Sequence, residues 1–547
     1  MKEHIKIRLW ALTIISAVLL SVPFIIPHTG LVALVAFLPL LAAEHIAAKN
    51  NVRFFWINVY VCFLIWNAVT TYWIYLATLP GAIAAITLNS LQMAIIFILF
   101  RWCKKQFKSD IGYLALILFW VAWEHFYFTW QISWPWLTLG NAFATSVRNI
   151  QWYSLTGSLG GSFWILIINV LLFLLCKNYV ERKGCKKLTI ALAALLLIPL
   201  VYSHIRFFTY KETGQQKEVV VLQPNIDPYS DKFNGMTQDE QDSVLFDLAI
   251  QGITDSTFMV VAPETFVNPD PKNGRLYENT PESNKSFMRF REFTQEHNVN
   301  FIFGAVTHFI YQHFTHYEFD NIAPPTPTAR RFGFGQWMEV YNTAVQMNTA
   351  GDVWYYHKSK LVILAESTPI VKGKNVLKSF GIDLGGQIGS FATQPYRTVF
   401  KSADEVICGT AICYESVFGE FYREYINNGA QFMTVITNDG WWGNTFGYRQ
   451  HLSYAALRAI ETRRDIARSA NTGISAFINQ KGEITSRTGW WKKDYLRGNV
   501  TLNEKITPFV KYGDVIGCAS AWGGLVLLIT AICKAILGVI KKRTHSK

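Results

Sequence analysis

The feature that most restricts this chain is a series of apolar runs in its first 204 residues. Seven runs lie there and an eighth lies near the C-terminus, and each is close to the roughly 20 residues that a helix needs to cross a bilayer. The hydrophobic content of 51% is also high for a soluble protein. The sequence therefore predicts a polytopic α-helical membrane domain of about eight spans. The predicted spans are residues 7–27, 30–48, 54–77, 82–101, 111–130, 161–180, 187–204 and 515–537.

Lysine and arginine indicate how these spans are oriented. The basic segments all fall on one side when the spans alternate, and the opposite loops carry almost no positive charge. Since positively charged loops stay in the cytoplasm, we predict a multi-pass protein of a bacterial inner membrane with both termini in the cytoplasm. The long polar region after the seventh span then lies in the periplasm. The basic segments are the N-terminus and residues 49–53, 101–108, 177–187 and 541–547.

Three polar or aromatic features interrupt the apolar pattern. The connection 131–160 is too apolar for an ordinary solvated loop, and Trp136 within it suits the membrane interface equally well as an anchor or as part of a binding site. Glu44 and Glu124 lie within spans, where an ionisable group is costly. Glu44 is near a cytoplasmic end and can extend to water. Glu124 is the better candidate for a buried polar contact.

Between Lys217 and Lys511 the pattern changes to short β-rich runs separated by helix-compatible segments. Alternating strands and helices over such a length predict an α/β domain with a core of its own. We therefore expect a seven-span membrane domain at 1–205, a periplasmic domain at 206–512, and a last span with a basic tail at 513–547.

Three of the β-rich runs are followed or flanked by residues whose side chains can take part in catalysis. Cys413 ends one run, Glu264 ends another, and Lys358 lies beside a third. A lone free cysteine is usually a small buried hydrophobe, but a thiol, a carboxylate and an ammonium at strand ends are the parts of covalent acyl transfer. A helix beginning near Ser416 would favour the thiolate, and the N–H of Tyr414 could serve an oxyanion hole.

Five short motifs follow one another along the chain: residues 221–226, Ala262-Pro263-Glu264, Lys358 with Glu366, Cys413-Tyr414-Glu415 and residues 438–443. Their order and spacing resemble the nitrilase superfamily and, within it, its integral membrane branch, the apolipoprotein N-acyltransferase family. The resemblance covers nearly the whole chain, although the family's Leu-Val-Pro-Phe-Gly-Glu run is replaced here by residues 361–366. It implies an αββα sandwich and a triad of Glu264, Lys358 and Cys413.

The resemblance also implies substrates and supporting residues. The acyl donor would be a phospholipid, and the acceptor the N-terminal amine of a diacylated apolipoprotein. Glu366 and Glu415 would hold the ammonium of Lys358, and no cofactor or metal would be needed. A monomer is expected. Residues placed at the substrate are Trp136, Gln223, Asn438 and Trp441, of which Trp441 could equally be a core aromatic. The resemblance places Trp136 in a lipid-facing wall of the active site.

Two other classes of function stay open on the sequence. A membrane-anchored amidase of the same superfamily would use water in the second step. A non-catalytic scaffold would only bind lipoproteins, although all three triad residues are present.

Other partners are disfavoured. The net charge of +13 comes without a nucleic-acid-binding motif, and the cysteines lack metal or disulfide spacing, so Cys408 and Cys413 should be free. Three histidines, at 308, 313 and 316, are predicted to lie on the surface. Arg458, Arg463, Arg464 and Arg468 are predicted to form a solvated or ion-paired face of a helix at 455–468 rather than a phosphate site.

Overall fold

The contacts in a computed structural model divide the chain into two units. Unit 1 comprises Met1–Tyr75, Leu79–Tyr210 and Tyr512–Lys547, and unit 2 comprises Leu76–Thr78 and Lys211–Lys511. The structure describes residues 2–107, 109–130, 132–233, 235–270, 272–311, 324–333, 335–363, 365–366, 370–371, 374–375 and 391–544.

Unit 1 is helical. Among its described residues, 7 helical segments are long and apolar enough to cross a membrane. The predicted fifth span is shorter: an α-helix of 14 residues follows a 3-10 turn at Asp110–Tyr113. The helices are α1 (Lys2–Ile25), α2 (Leu38–Lys49), α3 (Phe55–Thr71), α4 (Leu79–Gln106), α5 (Leu114–Tyr127), α6 (Tyr153–Val180), α7 (Lys186–Thr209) and a C-terminal helix (Val515–Thr544).

The two glutamates predicted within spans are both buried in unit 1. Glu44 does not extend to water but pairs with Arg101 and Lys104 of α4. Glu124 accepts hydrogen bonds from the indole N–H of Trp120 at 3.0 Å and from the backbone N–H of Leu139 at 2.8 Å. Glu124 thus ties α5 to the apolar connection that follows it.

Trp136 lies in that connection and is fully buried. Its ring stacks on Trp134, with centroids 5.1 Å apart, and contacts Trp73 at 5.1 Å. The prediction of a lipid-facing ring at position 136 is therefore wrong, because the aromatic side chains of the connection pack on one another and on Trp73 instead of facing outward.

Unit 2 contains two large sheets. The first has the strand order β16-β1-β2-β4-β6-β5, with β3 on β4 and β7 on β6, and the second runs β10-β11-β12-β13-β14-β15. A short pair, β8 and β9, is separate. The strands are β1 (Gln216–Gln223), β2 (Thr257–Val261), β3 (Leu276–Tyr277), β4 (Asn300–Ile310), β5 (Arg330–Phe332), β6 (Gln336–Met347), β7 (Val353–His357), β8 (Ile370–Val371), β9 (Lys374–Asn375), β10 (Val399–Lys401), β11 (Ile407–Ile412), β12 (Phe432–Thr437), β13 (Ile466–Ala470), β14 (Ala476–Ile478), β15 (Ile484–Arg487) and β16 (Asp494–Thr501).

Helices cover the two sheets, and the sheets face each other, which is the αββα sandwich that the resemblance implied. The apolar faces of α8 and α9 pack on the first sheet through a phenylalanine-rich core. The second sheet is contacted by α10 and α11. The helices are α8 (Gln238–Gly252), α9 (Lys285–Glu296), α10 (Gly419–Asn427), α11 (Phe446–Thr462) and α12 (Pro508–Tyr512).

The central strands of both sheets are parallel and buried over most of their length. In the first sheet β1, β2 and β4 run parallel, and in the second β11, β12 and β13 do. Short apolar runs without alternation fit strands that are covered on both faces. The carboxyl ends of parallel strands meet at one edge, so the residues that follow β2, β11 and β12 are brought to the corresponding edges.

The predictions about basic residues have different outcomes. His308 is 4% exposed, so its placement on the surface is wrong, while His313 and His316 lie outside the described residues. The predicted arginine helix ends at Thr462, and all four arginines are buried, so the solvated alternative is wrong. The ion-paired alternative holds for Arg458, which pairs with Glu461 at 2.9 Å, and for Arg468, which pairs with Asp439 at 2.6 Å, whereas Arg464 donates to backbone carbonyls.

Candidate active site

Glu264 is fixed by the backbone around the end of β2. Residues after it turn sharply, since Thr265 has a φ of 47°, in the left-handed region. The turn lies directly on Gly304 of β4: a Cβ at that position would be 2.4 Å from the Thr265 nitrogen and 2.6 Å from the Glu264 Cα. Only glycine leaves this space, so Gly304 determines how close the carboxylate approaches the first sheet.

The side chains of Glu264, Lys358 and Glu366 form one buried cluster. The Nζ of Lys358 donates to Oε1 of Glu264 at 2.8 Å and to Oε1 of Glu366 at 2.8 Å. Asn342 on β6 donates from Nδ2 to the same two oxygens, at 2.8 Å and 3.0 Å. The carbonyl of Asn342 also accepts the N–H of Lys358 at 2.8 Å. Asn342 thus aligns the two carboxylates and the backbone of the lysine.

The opposite charges of Glu264 and Lys358 determine the protonation state of each group. Burial raises the pKa of Glu264, but the ammonium of Lys358 and the hydrogen bonds to it outweigh burial, so the pKa lies below its usual value. Burial lowers the pKa of Lys358, but Glu264 and Glu366 outweigh it, and the pKa lies well above its usual value. The resting site therefore holds a carboxylate and an ammonium in contact.

Cys413 directly follows β11 and has a left-handed conformation, with a φ of 51°. It begins a 3-10 turn, Cys413–Val417, and the α-helix starts only at Gly419. The prediction of a helix from Ser416 that stabilises the thiolate is therefore wrong. Burial, together with the carboxylate of Glu264, raises the pKa of the Cys413 thiol well above its usual value. The Cys413 side chain is therefore a neutral thiol at rest, and it would have to lose its proton to act as a nucleophile.

Glu415 does not contact Lys358 as predicted. Its carboxylate accepts the backbone N–H groups of Ile412 at 2.8 Å and Ser359 at 2.6 Å, and the hydroxyl of Tyr356 at 2.8 Å. It therefore joins the strand end that carries Cys413 to the strand end that carries Lys358. Glu366 behaves as predicted toward Lys358, so the two glutamates have different roles.

Two buried residues at this site escaped the sequence analysis. Asn342 lies inside a β-rich run without any distinguishing signal. Lys232 is 3% exposed and donates from Nζ to the Glu264 carbonyl at 3.1 Å and to the Thr265 hydroxyl at 3.0 Å. Its neighbours in sequence, Asp231 and Phe233, are typical of a surface turn, and only the tertiary fold brings the ammonium beneath Glu264.

The predicted substrate-binding residues of unit 2 differ in how fully they are engaged. The amide of Gln223 makes five hydrogen bonds, to the backbone of Gly489, Lys492 and Ser475 and to two hydroxyls. Gln223 therefore holds the segments around 475 and 489 together and has no donor left for a substrate, contrary to the prediction.

Asn438 and Trp441 remain available to a ligand. Asn438 is 3% exposed, and its Nδ2 has no hydrogen-bond partner among the described residues. Trp441 is half-buried and packs its ring against the exposed rings of Tyr229 and Phe233, with centroids 5.3 Å and 6.0 Å away. Their role in binding a substrate stays a prediction.

No group of three or more metal-ligating side chains occurs in the part of the chain that the structure describes. All eight cysteines are free, including Cys408 and Cys413. The site is thus built from a thiol, two carboxylates and two ammonium groups. They include the kinds of group that covalent acyl transfer uses, namely a nucleophile, a base and electrostatic stabilisers.

Two family models match parts of this chain. Residues 245–505 match the family described as carbon-nitrogen hydrolase, and residues 16–171 match the apolipoprotein N-acyltransferase N-terminal domain. A structural alignment with the crystal structure of Saccharomyces cerevisiae Nit3, a member of the nitrilase superfamily, covers 53% of this chain and 92% of the Nit3 chain. The sequence identity is 14% and the TM-score is 0.36.

Two curated relatives extend over almost the entire chain. An apolipoprotein N-acyltransferase of Chlorobaculum tepidum is 30% identical over 526 residues, which cover 93% of each chain. One of Geobacter metallireducens is 26% identical over 544 residues, or 97% of this chain and 96% of the relative. The chain belongs to the apolipoprotein N-acyltransferase family.

Proposed function

We propose that this protein transfers a fatty acyl chain from a phospholipid, through a thioester on Cys413, to the N-terminal amine of the diacylglyceryl-cysteine of an apolipoprotein. The observation that carries the proposal is the ion pair of Glu264 and Lys358, whose charges both act on the Cys413 thiol. The relatives named for this activity match the chain over more than nine-tenths of its length.

In the first half-reaction, Glu264 takes the proton from the Cys413 thiol as the sulfur attacks the ester carbonyl of the phospholipid. Lys358 and the N–H of Tyr414 stabilise the oxyanion that forms. The tetrahedral intermediate then expels the alcohol oxygen of the lysophospholipid, which takes the proton from Glu264. The lysophospholipid leaves, and the acyl chain stays on sulfur.

In the second half-reaction, the amine of the lipoprotein attacks the thioester carbonyl. Glu264, again a carboxylate, removes a proton from the attacking nitrogen, and the same oxyanion donors act again. The C–S bond breaks, the sulfur recovers the proton from Glu264, and an amide is released. The two steps make a ping-pong cycle in which one carboxylate serves each transfer of a proton.

Transfer to an amine can be separated from hydrolysis by following both products. The full-length protein in phospholipid vesicles is incubated with and without a synthetic diacylglyceryl-cysteine peptide. We expect the peptide to gain one acyl chain by mass, with little free fatty acid. Equal release of fatty acid with and without the peptide would instead identify an amidase-like hydrolase, and no product in either case would favour a scaffold.

We also propose that unit 2 faces the periplasm and that both termini are cytoplasmic, on the support of the five basic segments described above. In a variant whose unit 1 cysteines are replaced by serine, the exposed Ser256 is changed to cysteine, and the exposed Lys183 is changed likewise as a matched control. An impermeant thiol label added to intact spheroplasts should modify Ser256→Cys only. Labelling of Lys183→Cys alone would reverse the orientation.

A further inference from the structure

A buried chain of polar side chains lies behind Cys413, on the side of the second sheet. Arg468 of β13 donates from Nη2 to Oδ2 of Asp439 at 2.6 Å, and the other oxygen of Asp439 lies 3.0 Å from Nδ1 of His451. On its far side, Nε2 of His451 lies 3.0 Å from the carbonyl oxygen of Cys413. All three side chains are fully buried. The mechanism above uses none of them.

The imidazole of His451 bridges the carboxylate of Asp439 and the backbone of Cys413. Its Nδ1 faces Oδ1 of Asp439, and Nη2 of Arg468 lies 3.1 Å from the same nitrogen. Its Nε2 faces two oxygens, the carbonyl of Cys413 and the hydroxyl of Ser416, each at 3.0 Å. A carbonyl oxygen only accepts, so the hydrogen bond to Cys413 is donated by Nε2.

The surroundings are built to hold Asp439 in place. The hydroxyl of Thr437 donates to its Oδ1 at 2.8 Å. Gly473 leaves the space that the other oxygen occupies, since a Cβ there would lie 2.6 Å from Oδ2. Ser416 adds a second donor to the Cys413 carbonyl at 2.9 Å. The carbonyl of Cys413 is thus held by side chains from two different elements.

Holding this carbonyl has a consequence on the other side of the peptide bond. The C=O of Cys413 and the N–H of Tyr414 belong to one planar trans peptide and point in opposite directions. A carbonyl directed at His451 therefore directs the Tyr414 N–H away from the buried chain. The left-handed φ of Cys413, which is costly for a side chain other than glycine, needs such outside support.

We propose that Arg468, Asp439 and His451 are positioning residues that fix the peptide plane between Cys413 and Tyr414 and thereby aim the oxyanion donor. The inference rests on the proposed acyl transfer through Cys413. It predicts that His451 matters for steps that pass through an oxyanion and much less for the reactivity of the thiol itself.

Two amide substitutions test the two nitrogen atoms of the imidazole one at a time. In His451→Gln the amide nitrogen stands where Nε2 stood and can still donate to Cys413, whereas in His451→Asn it stands where Nδ1 stood and can reach only Asp439. We expect the rate of thioester formation to stay within about tenfold of the natural protein's rate in His451→Gln. In His451→Asn we expect it to fall about 100-fold, because a misplaced catalytic group reduces a rate by about this factor.

The rate at which iodoacetamide alkylates Cys413 distinguishes a loss of oxyanion stabilisation from a general loss of structure. This displacement forms no oxyanion, so its rate should be nearly equal in both variants and in the natural protein. His308→Asn, a substitution of another buried histidine of unit 2, is the matched control and should change neither rate. Melting temperatures in detergent report any loss of folding.

The outcomes distinguish the inference from the function on which it rests. A natural protein that is alkylated but forms no thioester would refute the proposed acyl transfer. A natural protein that forms the thioester, with His451→Asn as fast as His451→Gln, would overturn the positioning role. An equal fall in acylation and alkylation for His451→Asn would also overturn it, because the thiol rather than the peptide plane would then be affected.

Discussion

The two halves of the active site are held by different kinds of contact. On the first sheet, Glu264 and Lys358 are held by each other, by Glu366 and by Asn342, all through side-chain charges and an amide. On the second sheet, Cys413 is held through its backbone: Glu415 accepts the N–H of the preceding Ile412, and His451 contacts the carbonyl of Cys413 itself.

The proposed mechanism explains this difference. A general base and an electrostatic stabiliser, the roles proposed for Glu264 and Lys358, act through charge, and their neighbours set charge and proton affinity. A nucleophile at a strand end, the role proposed for Cys413, depends on its orientation, and its neighbours set backbone angles. Changes in the first half should therefore act on the chemistry at nearly constant stability, and changes in the second half should act on geometry and folding.

The largest effect is expected for Glu264→Gln. The amide cannot accept the thiol proton, while Glu366 still holds Lys358, so acyl transfer should fall about 10³-fold with little change in melting temperature. Rates of thioester formation by the detergent-solubilised protein measure this. Glu296→Gln, at an exposed acid at the end of α9, is the control that should be as active as the natural protein. Retained activity in Glu264→Gln would show that Glu264 is not the general base.

A smaller but still large effect is expected for Gly304→Ala. The added methyl group would meet the backbone of Glu264 and Thr265, so the backbone that carries the carboxylate must move off β4 by a sizeable fraction of an ångström. We expect acyl transfer to fall about 100-fold, as for other small misplacements of catalytic groups. Gly184→Ala, where a Cβ would meet nothing within 4 Å, should be neutral. Equal activity of the two variants would show that the close approach is unimportant.

The pair Glu366→Gln and Glu415→Gln tests the comparison between the halves directly. Glu366→Gln removes one of the two charges on Lys358 and should slow acylation about tenfold while the protein melts normally. Glu415→Gln turns an amide donor toward backbone N–H donors and should destabilise the fold by about 1–3 kcal/mol. Activity assays and thermal melts should therefore rank the two variants in opposite order. The same order in both would contradict the division of roles.

The smallest effect concerns Lys232 and pH. Burial lowers the pKa of its ammonium to about 8, and the carboxylate of Glu264 offsets only part of this. Between about 8 and the ordinary value of 10.5, the unfolded chain binds a proton that the folded chain does not. The free energy of unfolding therefore rises with pH through this window, and the cost of burial is fully present below it.

Lys232→Met removes this cost at every pH. The gain in melting temperature of Lys232→Met over the natural protein should be greatest below about pH 8 and shrink toward pH 10.5. The exposed Lys272→Met should show no such trend. A constant difference for Lys232→Met across the range would mean that the lysine is not buried as an ammonium.

The sequence predicted the elements better than the contacts between them. Apolar runs that end in Glu264 and Cys413 are visible along the chain because buried parallel strands have no alternation. The order of Glu264, Lys358 and Cys413 along the chain is visible in the same way. The contacts of Lys232, which lies in a polar turn, and of His451, which lies on a helix far from Cys413 in sequence, could not be predicted from the sequence. Those contacts depend on how strands pair and helices cover them.

Two errors have the same origin. Trp136 belongs to an apolar segment of interfacial composition, and composition alone could not show that its ring packs on Trp134. The 3-10 turn after Cys413 replaces the predicted helix start because Glu415 is engaged with the backbone of Ile412 and Ser359. In both cases a tertiary contact prevails over a local preference.

The central claim is that Cys413 carries the acyl chain between donor and acceptor. Intact mass analysis after incubation with phospholipid and no acceptor tests it most directly. The natural protein and Cys408→Ala should each gain the mass of one acyl chain that hydroxylamine removes, and Cys413→Ala should gain none. An adduct that persists in Cys413→Ala, or that disappears in Cys408→Ala, would contradict the account.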